Sequence, residues 1–571
     1  MDQTRIILQA GRRWLVRAAA EPLLADGWPL DQPDRLSLRK QGRRRRVYRL
    51  EARGLGYYVK VHTGSGLLRR LRARLGLGPG RREWRALLTA REAGLPAPEP
   101  VALALDASET LVTAEVAGGR RLDEVLFEHY FPPGPADPPY PGARPPELVA
   151  VCRTRCQPPE DALDPRTLAH LLADLVARLG DADLYLPDLH PGNLVLAGAP
   201  GHWRLVLVDL AEAAFPAPPE AMLQHLVQLD HFFEPIATAA ERVRCLARVR
   251  DLVPDGPDAR TVSRATAIYR QRFYPGRDRR TRRRSKYFRP VVAGPWGGWA
   301  TTDWAEAVEA LVGPLPAGGD PPGAEILKAS RSSRVWAVRL PDGRELVGKC
   351  DLRAGSRGGG ALRPPRAMTG FRRGHALLAR GIATARPAAA LQRRGEAGGP
   401  ETVLLTERVP GGRPLNEWLR DDPAPAARRH VTWALARLVR RMHEAGLTHR
   451  DLKAPNLLVA PADAARPRPV LVDLDGLRQR RRVSVRRRGR DLARLGVSLE
   501  EWGVARATDR LRFLRAYLGR PGAMQPITIL ARHRGRTEAA GRLRRWWYAM
   551  ARAAARKREA LRQRYGQVER L

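Results

Sequence analysis

The sequence predicts an α+β protein in which one two-lobed domain occurs twice. At 571 residues the chain is too long for a single hydrophobic core. In each half, short segments of strand-like alternation come first and long helical patterns follow, which is typical of α+β domains. Residues 166–196 also align without a gap with residues 429–459. These observations favour a tandem duplication of a whole domain, because the period is far too long for a solenoid.

Further matches keep the same order along the chain. Residues 112–126 resemble 405–419, and residues 205–212 resemble 469–476. Charge runs and Pro/Gly clusters separate the two copies, which indicates a break in regular structure. The predicted organisation is a first domain at 20–275 with a proline-rich insertion near 131–160, a basic Pro/Gly-rich linker at 276–324, and a second domain at 325–571.

The elements of each copy can be predicted in order. Two alternating strands around a turn come first, and the second strand ends near Lys60 or Lys349. A helical stretch, short apolar strands and a GGR-containing helix start follow. A long amphipathic helix then leads into a loop that contains an asparagine, and an apolar strand ends on Asp209 or Asp473. This order predicts a small β-rich N-lobe and a helical C-lobe.

The loop after the long helix carries an aspartate and an asparagine five residues apart. The pairs are Asp188 with Asn193 and Asp451 with Asn456, and a strand-end aspartate follows the first aspartate by 21 or 22 residues. Such a set supplies one free carboxylate and two oxygen ligands for magnesium, which suits phosphoryl transfer. A lysine on an early strand would neutralise phosphates, and a helix glutamate would hold it. Lys60 with Glu83 fits this pattern in the first copy.

Several ordered motifs resemble those of protein-kinase-like domains, and most closely the bacterial lipopolysaccharide core kinase (Kdo/WaaP) family. The motifs are YYVKVH, LPDLHPGNLVL and LVLVDLAE in the first half, and LVGKC, THRDLKAPNLLV and LVDLDG in the second. Together they cover most of residues 36–250 and 325–520. The resemblance implies two tandem kinase-like domains that use ATP and Mg to phosphorylate sugars of the lipopolysaccharide core.

The resemblance also implies a role for individual residues. Asp188 and Asp451 would be catalytic bases. The metal ligands would be Asn193, Asp209, Asn456 and Asp473. The nucleotide-binding residues would be Lys60, Glu83 and Lys349, with the hinge to adenine near Glu115 and Arg408.

Each copy departs from the family pattern at a different place. The first has Leu186-Pro187 where the second has His449-Arg450. The second has Gly370 at the position of the helix glutamate. Neither contains a GxGxxG loop. The intact loop and the intact lysine–glutamate pair therefore lie in different copies, and the sequence leaves open which copy is active.

The residues after the strand aspartate bear on the acceptor. Helical patterning resumes within about 20 residues, and no Ala-Pro-Glu closes an activation segment. A sugar hydroxyl of a lipopolysaccharide-like glycolipid, or another small molecule, is therefore favoured over a protein. Residues 478–490 carry eight arginines, and arginine forks suit an anionic acceptor, although such a run can also be a solvated surface. The alternatives are a pseudokinase-type nucleotide- or glycolipid-binding scaffold and a protein Ser/Thr kinase-like enzyme.

The composition limits the remaining classes. Lys+Arg of 101 against Asp+Glu of 60 gives a net charge of +41. The arginines are dispersed and no nucleic-acid module is recognisable, so nucleic acid is an unfavoured partner. Four cysteines in so long a chain indicate a reducing compartment. We expect a cytoplasmic protein, with peripheral contact to the inner membrane left open by its basic surface.

Overall fold

The structure is a computed structural model that describes most of the chain up to residue 519. The described residues are 4–9, 11–25, 33–42, 45–62, 77–106, 109–131, 158–159, 162–234, 236–316, 318–330, 333–352, 365–393, 401–461, 467–504, 506–519 and a few between 552 and 563. Most of the predicted proline-rich insertion and most of the predicted second domain beyond 519 lie outside them. No helix in the described part of the chain is long and apolar enough to cross a membrane.

Two compact units divide between Arg270 and Gln271. The strands described in the first unit are β1 (Arg5–Gln9), β2 (Arg12–Val16), β3 (Leu36–Gln41), β4 (Arg45–Ala52), β5 (Leu55–His62), β6 (Pro100–Ala104), β7 (Thr110–Ala114), β8 (Arg120–Arg121), β9 (Leu194–Ala197) and β10 (Arg204–Leu207). The helices are α1 (Glu21–Ala25), α2 (Pro79–Glu92), α3 (Leu122–Tyr130), α4 (Pro165–Asp181), α5 (Ala221–Phe233), α6 (Ala239–Leu252) and α7 (Ala259–Arg280), within which the units divide.

The second unit has most of the same kinds of element in the same order. Its described strands are β11 (Phe288–Ala293), β12 (Trp296–Thr301), β13 (Glu325–Ala329), β14 (Ser333–Arg339), β15 (Glu345–Asp351), β16 (Pro387–Arg393), β17 (Thr402–Glu407), β18 (Arg413–Pro414), β19 (Leu447–His449), β20 (Leu457–Ala460), β21 (Arg468–Leu471) and β22 (Leu477–Gln479). Its helices are α8 (Ala305–Val312), α9 (Arg366–Ala379), α10 (Leu415–Arg420), α11 (Pro425–Glu444), α12 (Val485–Glu501) and α13 (Ala507–Leu518).

The two large sheets have the same topology. The first has the strand order β1-β2-β6-β7-β5-β4-β3, and the second has β11-β12-β16-β17-β15-β14-β13. A small antiparallel sheet follows in each unit, in the orders β10-β9-β8 and β18-β20-β21. Helices make up most of the remainder of each unit. The predicted α+β class, with a β-rich N-lobe before a helical C-lobe, is confirmed.

The predicted linker at 276–324 is wrong, because much of it is folded into the second unit. β11 and β12 form the outer hairpin of its sheet, and β12 pairs with β16. The first unit likewise begins before residue 20, since β1 and β2 form the matching hairpin and β2 pairs with β6. Glycine at each hairpin turn has positive φ, 68° at Gly11 and 56° at Gly294. Glycine is favoured at such turns because it adopts positive φ readily, and its presence gives the segment the composition that a linker also has.

Buried charges tie this segment to the second unit. Asp303, just after β12, accepts two hydrogen bonds from Arg386 at 2.7 and 2.9 Å. Arg386 also donates to Glu407 at 2.6 Å, and Trp304 donates its indole N–H to the same carboxylate at 2.7 Å. Arg386 is 5% exposed. Its burial is tolerable only because both carboxylates are present, so residues near 303 belong to the folded core of the second unit.

In each unit a long amphipathic helix, α4 or α11, precedes the loop that carries the predicted aspartate and asparagine. α4 begins after Asp164, whose carboxylate accepts hydrogen bonds from the N–H groups of Arg166 and Thr167 at 2.8 and 3.0 Å. Pro165 at the first helical position supports this start. Leu168, Leu172, Leu175, Val176 and Leu179 are buried along one face of α4. The apolar face fixes the helix against the lobe, and the loop that carries Asp188 follows from its end.

Candidate active site

The second unit brings the predicted loop residues into direct contact. The Asn456 side-chain N–H donates to the Asp451 carbonyl at 2.9 Å and to the Asp451 carboxylate at 3.2 Å. Lys453 Nζ lies 2.9 Å from the same carboxylate. Burial works to raise the pKa of Asp451, but the hydrogen bonds from Lys453 and Asn456 outweigh it and lower that pKa. Asp451 is therefore an ionised carboxylate at neutral pH, as a base that accepts a hydroxyl proton must be.

His449 connects this loop to the strand-end aspartate. Its Nδ1 accepts the N–H of Asp451 at 3.3 Å, so in the neutral ring Nε2 carries the proton and donates it to the Asp473 carbonyl at 2.8 Å. Burial lowers the pKa of His449, which keeps the ring neutral. The N–H of His449 donates to the buried carboxylate of Asp491 at 2.9 Å. The loop therefore has a fixed conformation around Asp451.

Lys349 forms ion pairs with two aspartates after β21, and no helix glutamate among the described residues is its partner. Its Nζ lies 2.6 Å from both Asp473 and Asp475. Gly370, at the position of the expected helix glutamate, packs so closely that an added Cβ would lie 2.7 Å from Leu404 Cδ2. Burial works to lower the pKa of Lys349, but the two aspartates outweigh it and raise that pKa. Asp475 thus fills the role predicted for a helix glutamate.

The first unit builds the same loop with other side chains. Asn193 donates its side-chain N–H to the Asp188 carbonyl at 3.0 Å. His190 Nδ1 accepts the Gly192 N–H at 3.0 Å, and its Nε2 lies 3.6 Å from the Asp188 carboxylate. His190 therefore stands where Lys453 stands in the second unit, two residues after the aspartate. Asp188 is 71% exposed at its side chain, which leaves it open to solvent.

A buried histidine anchors the altered start of this loop. Leu186, which replaces the loop histidine, donates its N–H to His225 Nε2 at 2.9 Å. Gln228 accepts the Leu189 N–H at 2.6 Å and donates to the Pro187 carbonyl at 2.9 Å. Burial lowers the pKa of His225 to about 4, so the ring is neutral and Nε2 can accept. In the first unit a neutral ring thus does what the Asp491 carboxylate does in the second.

The predicted ion pair of the first unit is present, and a second pair accompanies it. Lys60 Nζ bonds to the buried Glu83 carboxylate and lies 3.8 Å from Asp209 Oδ1. Arg45 binds Asp209 with a bidentate fork, at 2.6 Å to Oδ1 and 2.5 Å to Oδ2. Burial works to raise the pKa of Asp209, but Arg45 and Lys60 hold it well below its usual range. Arg45, Asp188, Asn193 and Asp209 line one cavity of about 260 Å³.

Both strand-end aspartates have left-handed backbone conformations. φ is 65° at Asp209 and 58° at Asp473. The residue before each one closes the loop, because Val208 donates its N–H to the Asn193 carbonyl at 3.0 Å and Val472 donates to Asn456 at 2.9 Å. Left-handed φ is costly for a side chain with a Cβ, and such strain clusters at functional sites. The backbone therefore places asparagine and aspartate side by side in both units.

The predicted hinge residues use their side chains elsewhere. The Glu115 carboxylate pairs with Arg49 at 2.8 Å, and Arg408 pairs with Glu325 at 3.2 Å. Their N–H groups donate to the carbonyls of Gly56 and Glu345, at 2.8 and 3.1 Å. Glu115 directly follows β7, and Arg408 directly follows β17. Contact with adenine from these side chains stays a prediction.

The residues of the second unit fit a magnesium ion better than those of the first. Asp473 uses Oδ1 for Lys349, and the Asn456 N–H group is turned to Asp451, which leaves an amide oxygen as a ligand. In the first unit both Asp209 oxygens already bind Arg45. No cluster of three or more His, Cys, Asp or Glu side chains suited to a metal occurs among the described residues. The sets above each combine one aspartate with one asparagine.

Sequence reasoning missed Lys453, Asp475 and Arg45. Lys453 and Asp475 lie two residues after predicted site residues, at positions where the first copy has His190 and Ala211. Arg45 belongs to a run of four arginines, and only its strand register singles it out. Arg45 pairs with His62, two residues beyond Lys60. Lys453 and Asp475 lie close in sequence to predicted residues, whereas Arg45 is identified only by the strand pairing that places it opposite His62.

The geometry of the second unit defines the protein-kinase-like class: a strand lysine, a loop aspartate and asparagine, and a strand-end aspartate held together by the backbone. Residues 360–517 match the model of the lipopolysaccharide kinase (Kdo/WaaP) family. That range contains every second-unit residue of the predicted site except Lys349. The predicted resemblance to this family is thereby confirmed for the second unit, and its extension to the first unit as a tandem copy stays a prediction.

One curated protein and one solved structure are similar to this chain. The chain is 32% identical over 148 residues to lipopolysaccharide core heptose(I) kinase WaaP of Pseudomonas aeruginosa, which covers 25% of this chain and 55% of that protein. The chain thus matches about half the length of this curated relative. It is also similar to a solved structure described as WaaP in complex with acyl carrier protein, with 29% identity, coverage of 44% of this chain and 91% of that chain, and a TM-score of 0.30.

Proposed function

We propose that the protein is an ATP- and Mg-dependent phosphotransferase whose acceptor is a sugar hydroxyl of a lipopolysaccharide-like glycolipid, and that the second unit is the catalytic one. The observation that carries this proposal is the loop around Asp451, with Lys453, Asn456 and Asp473 fixed in place by hydrogen bonds. This loop falls within the residues that match the family model. The heptose acceptor named for the curated relative is the acceptor we propose to try first.

Each site residue of the second unit has a separate role in the proposed reaction. Asp451 accepts the proton of the attacking hydroxyl, and its side chain is 51% exposed, so an acceptor can reach it. Lys453 beside it keeps that carboxylate ionised and offers a cation near the transferred group. Lys349 is held by Asp473 and Asp475 to bind phosphate oxygens. When bound, ATP would supply the phosphoryl group. Magnesium, with Asn456 and Asp473 as its protein ligands, would neutralise the phosphate charge.

Two features favour a small or glycan acceptor over a protein. α12 begins at Val485, twelve residues after Asp473, so the intervening segment is short. Protein kinases place a longer activation segment at this point, where it supports the protein substrate. Arginines also surround the loop after Asp473. Burial, together with the charges of Arg478 and Arg372, lowers the pKa of Arg373 to about 10. Such crowded cations favour an anionic acceptor.

The proposal is tested with the full chain, radiolabelled ATP and a heptose-containing core oligosaccharide. Asp451→Asn should lower transfer by about a hundred- to ten-thousand-fold, because the reaction loses its base. Asp421→Asn is a matched control, since Asp421 is an exposed aspartate of the same unit that pairs with Arg413. Asp188→Asn reports on the first unit. Full activity in Asp451→Asn, or loss confined to Asp188→Asn, would contradict our assignment of catalysis to the second unit.

A scaffold role is the second candidate for the first unit only. The observation that favours it is the bidentate Arg45–Asp209 pair, which binds both oxygens of a predicted metal ligand. The altered loop start at Leu186-Pro187 agrees with it. The first unit would then bind a nucleotide or a glycolipid phosphate without transferring phosphate.

A further inference from the structure

The guanidinium of Arg45 lies at a defined place in the first unit. Its two terminal nitrogens reach the two oxygens of Asp209, and the pair is only about one-quarter exposed. Lys60 approaches the same carboxylate at 3.8 Å, and Glu83 neutralises Lys60. Arg45 and Asp209 both line the cavity that contains Asp188 and Asn193. A positive charge therefore already sits on the carboxylate that was predicted to bind magnesium.

Strand register identifies the residue of the second unit that corresponds to Arg45. β4 pairs with β5 so that Arg45 lies opposite His62, two residues beyond Lys60. β14 pairs with β15 so that Ser333 lies opposite Asp351, two residues beyond Lys349. Ser333 is thus the counterpart of Arg45. Its N–H donates to Ser330 Oγ at 3.1 Å, within its own turn.

A divalent cation and this guanidinium compete for the same oxygens. Magnesium binds oxygen ligands at about 2.0–2.1 Å, whereas Arg45 holds both Asp209 oxygens at 2.5–2.6 Å. A cation that joined them would lie beside the guanidinium, and the two like charges would repel each other. The cation would have to displace Arg45 first. The second unit has no such obstacle at its counterpart position, because serine carries no charge.

We propose that Arg45 takes the place of the divalent cation in the first unit, so that this unit binds a nucleoside triphosphate or similar polyphosphate without metal. Arg45 has five N–H donors and uses two of them on Asp209, so others remain for phosphate oxygens. Lys60 adds a second cation close by. The inference rests on the proposed function in one respect, namely that the second unit provides the metal-dependent site with which the first is compared.

The first test measures Mn²⁺ bound to the full chain by electron paramagnetic resonance, with a non-hydrolysable ATP analogue present. Asp209→Asn should leave the amount of bound Mn²⁺ unchanged, and Asp473→Asn should remove the bound Mn²⁺. Arg45→Ser, which installs the residue of the second unit, should about double it. Arg46→Ser is the matched control, because it removes the same charge from the next, exposed position of β4.

A reciprocal variant keeps the test independent of the folding of the first unit. Ser333→Arg should lower Mn²⁺ affinity at least tenfold, because it places a guanidinium at the metal site of the second unit. Loss of Mn²⁺ in Asp209→Asn, or no gain in a folded Arg45→Ser chain, would overturn the proposal. Unchanged Mn²⁺ binding in Asp473→Asn would instead count against the proposed function, since it concerns the second unit alone.

The second test asks for binding without metal. A fluorescent ATP analogue is titrated in EDTA into a chain that carries Asp473→Asn. We expect saturable binding that Arg45→Ser weakens at least tenfold and Arg46→Ser leaves within twofold. An Asp473→Asn chain that binds no analogue in EDTA refutes the proposed metal-free site, and so does equal weakening by the two arginine variants.

Discussion

The buried pair of Asp278 and Arg380 should contribute strongly to the stability of the second unit. Asp278 lies in the segment that was predicted to be a linker. Its carboxylate accepts two hydrogen bonds from Arg380, both 2.8 Å long. The residues are 6% and 7% exposed, so water does not replace the pair if it is broken. Gln479 also donates to Asp278, at 3.1 Å.

Asp278→Ala should destabilise the second unit by about 3–5 kcal/mol, because it leaves a buried guanidinium without its carboxylate. Arg380 keeps one hydrogen bond, to the Ala376 carbonyl at 2.8 Å, and stacks on Tyr274 at 4.2 Å. Neither contact neutralises its charge. For a unit of this size the loss corresponds to roughly 6–20 °C in the midpoint of thermal unfolding.

The assay is thermal and urea denaturation of the full chain, followed by circular dichroism and tryptophan fluorescence. The transition of the first unit serves as an internal control, since Asp278 lies in the second unit. The double variant Asp278→Ala with Arg380→Met completes a mutant cycle, and it should recover most of the loss because an apolar pair removes the unpaired charge. A loss below about 1 kcal/mol for Asp278→Ala would show that the segment behaves as an exposed linker.

Two further predictions concern the sites themselves. Asp475→Asn should raise KM for ATP about tenfold with a smaller change in kcat, because Lys349 keeps Asp473 but loses its other carboxylate. Steady-state kinetics measure KM and kcat separately, and an unchanged KM would contradict the role of Asp475. The pKa of His225 is about 4 in the folded first unit, below the ordinary value of 6.5, so the unfolded chain takes up a proton first as pH falls. The stability of this unit should therefore decrease from pH 6.5 towards pH 4. Comparison with His225→Gln by thermal unfolding at each pH checks this, and a variant with the same pH dependence would refute it.

Local spacing predicted the loop contacts well. An aspartate and an asparagine five residues apart in a turn are close whatever surrounds them, and the Asn-to-Asp carbonyl bond recurs at 3.0 and 2.9 Å in the two units. The Lys60–Glu83 pair was also brought together as predicted. These contacts depend on short loops and on one strand facing one helix, which a motif encodes directly.

Contacts supplied by a different element were not predictable in the same way. Gly370 indicated only that a glutamate was missing, and nothing in its surroundings pointed to Asp475. Arg45 lies among four consecutive arginines, and alternation along a strand decides which of them faces the site. The outer hairpins were missed because glycine and proline at a tight turn have the composition of a linker. The pairing of β12 with β16 shows that this segment belongs to the sheet, and pairing between strands distant in sequence cannot be read from composition.

The relocated carboxylate of Lys349 has a consequence for regulation. Many protein kinases are switched off when the helix that carries the lysine's glutamate swings outward, since the ion pair then breaks. In the second unit both partners of Lys349 come from the segment after β21, and α9 contributes neither. Outward movement of α9 would leave the lysine anchored. Control of this unit would have to act on the Asp473–Asp475 segment itself, whereas in the first unit the glutamate that pairs with the lysine, Glu83, lies on α2.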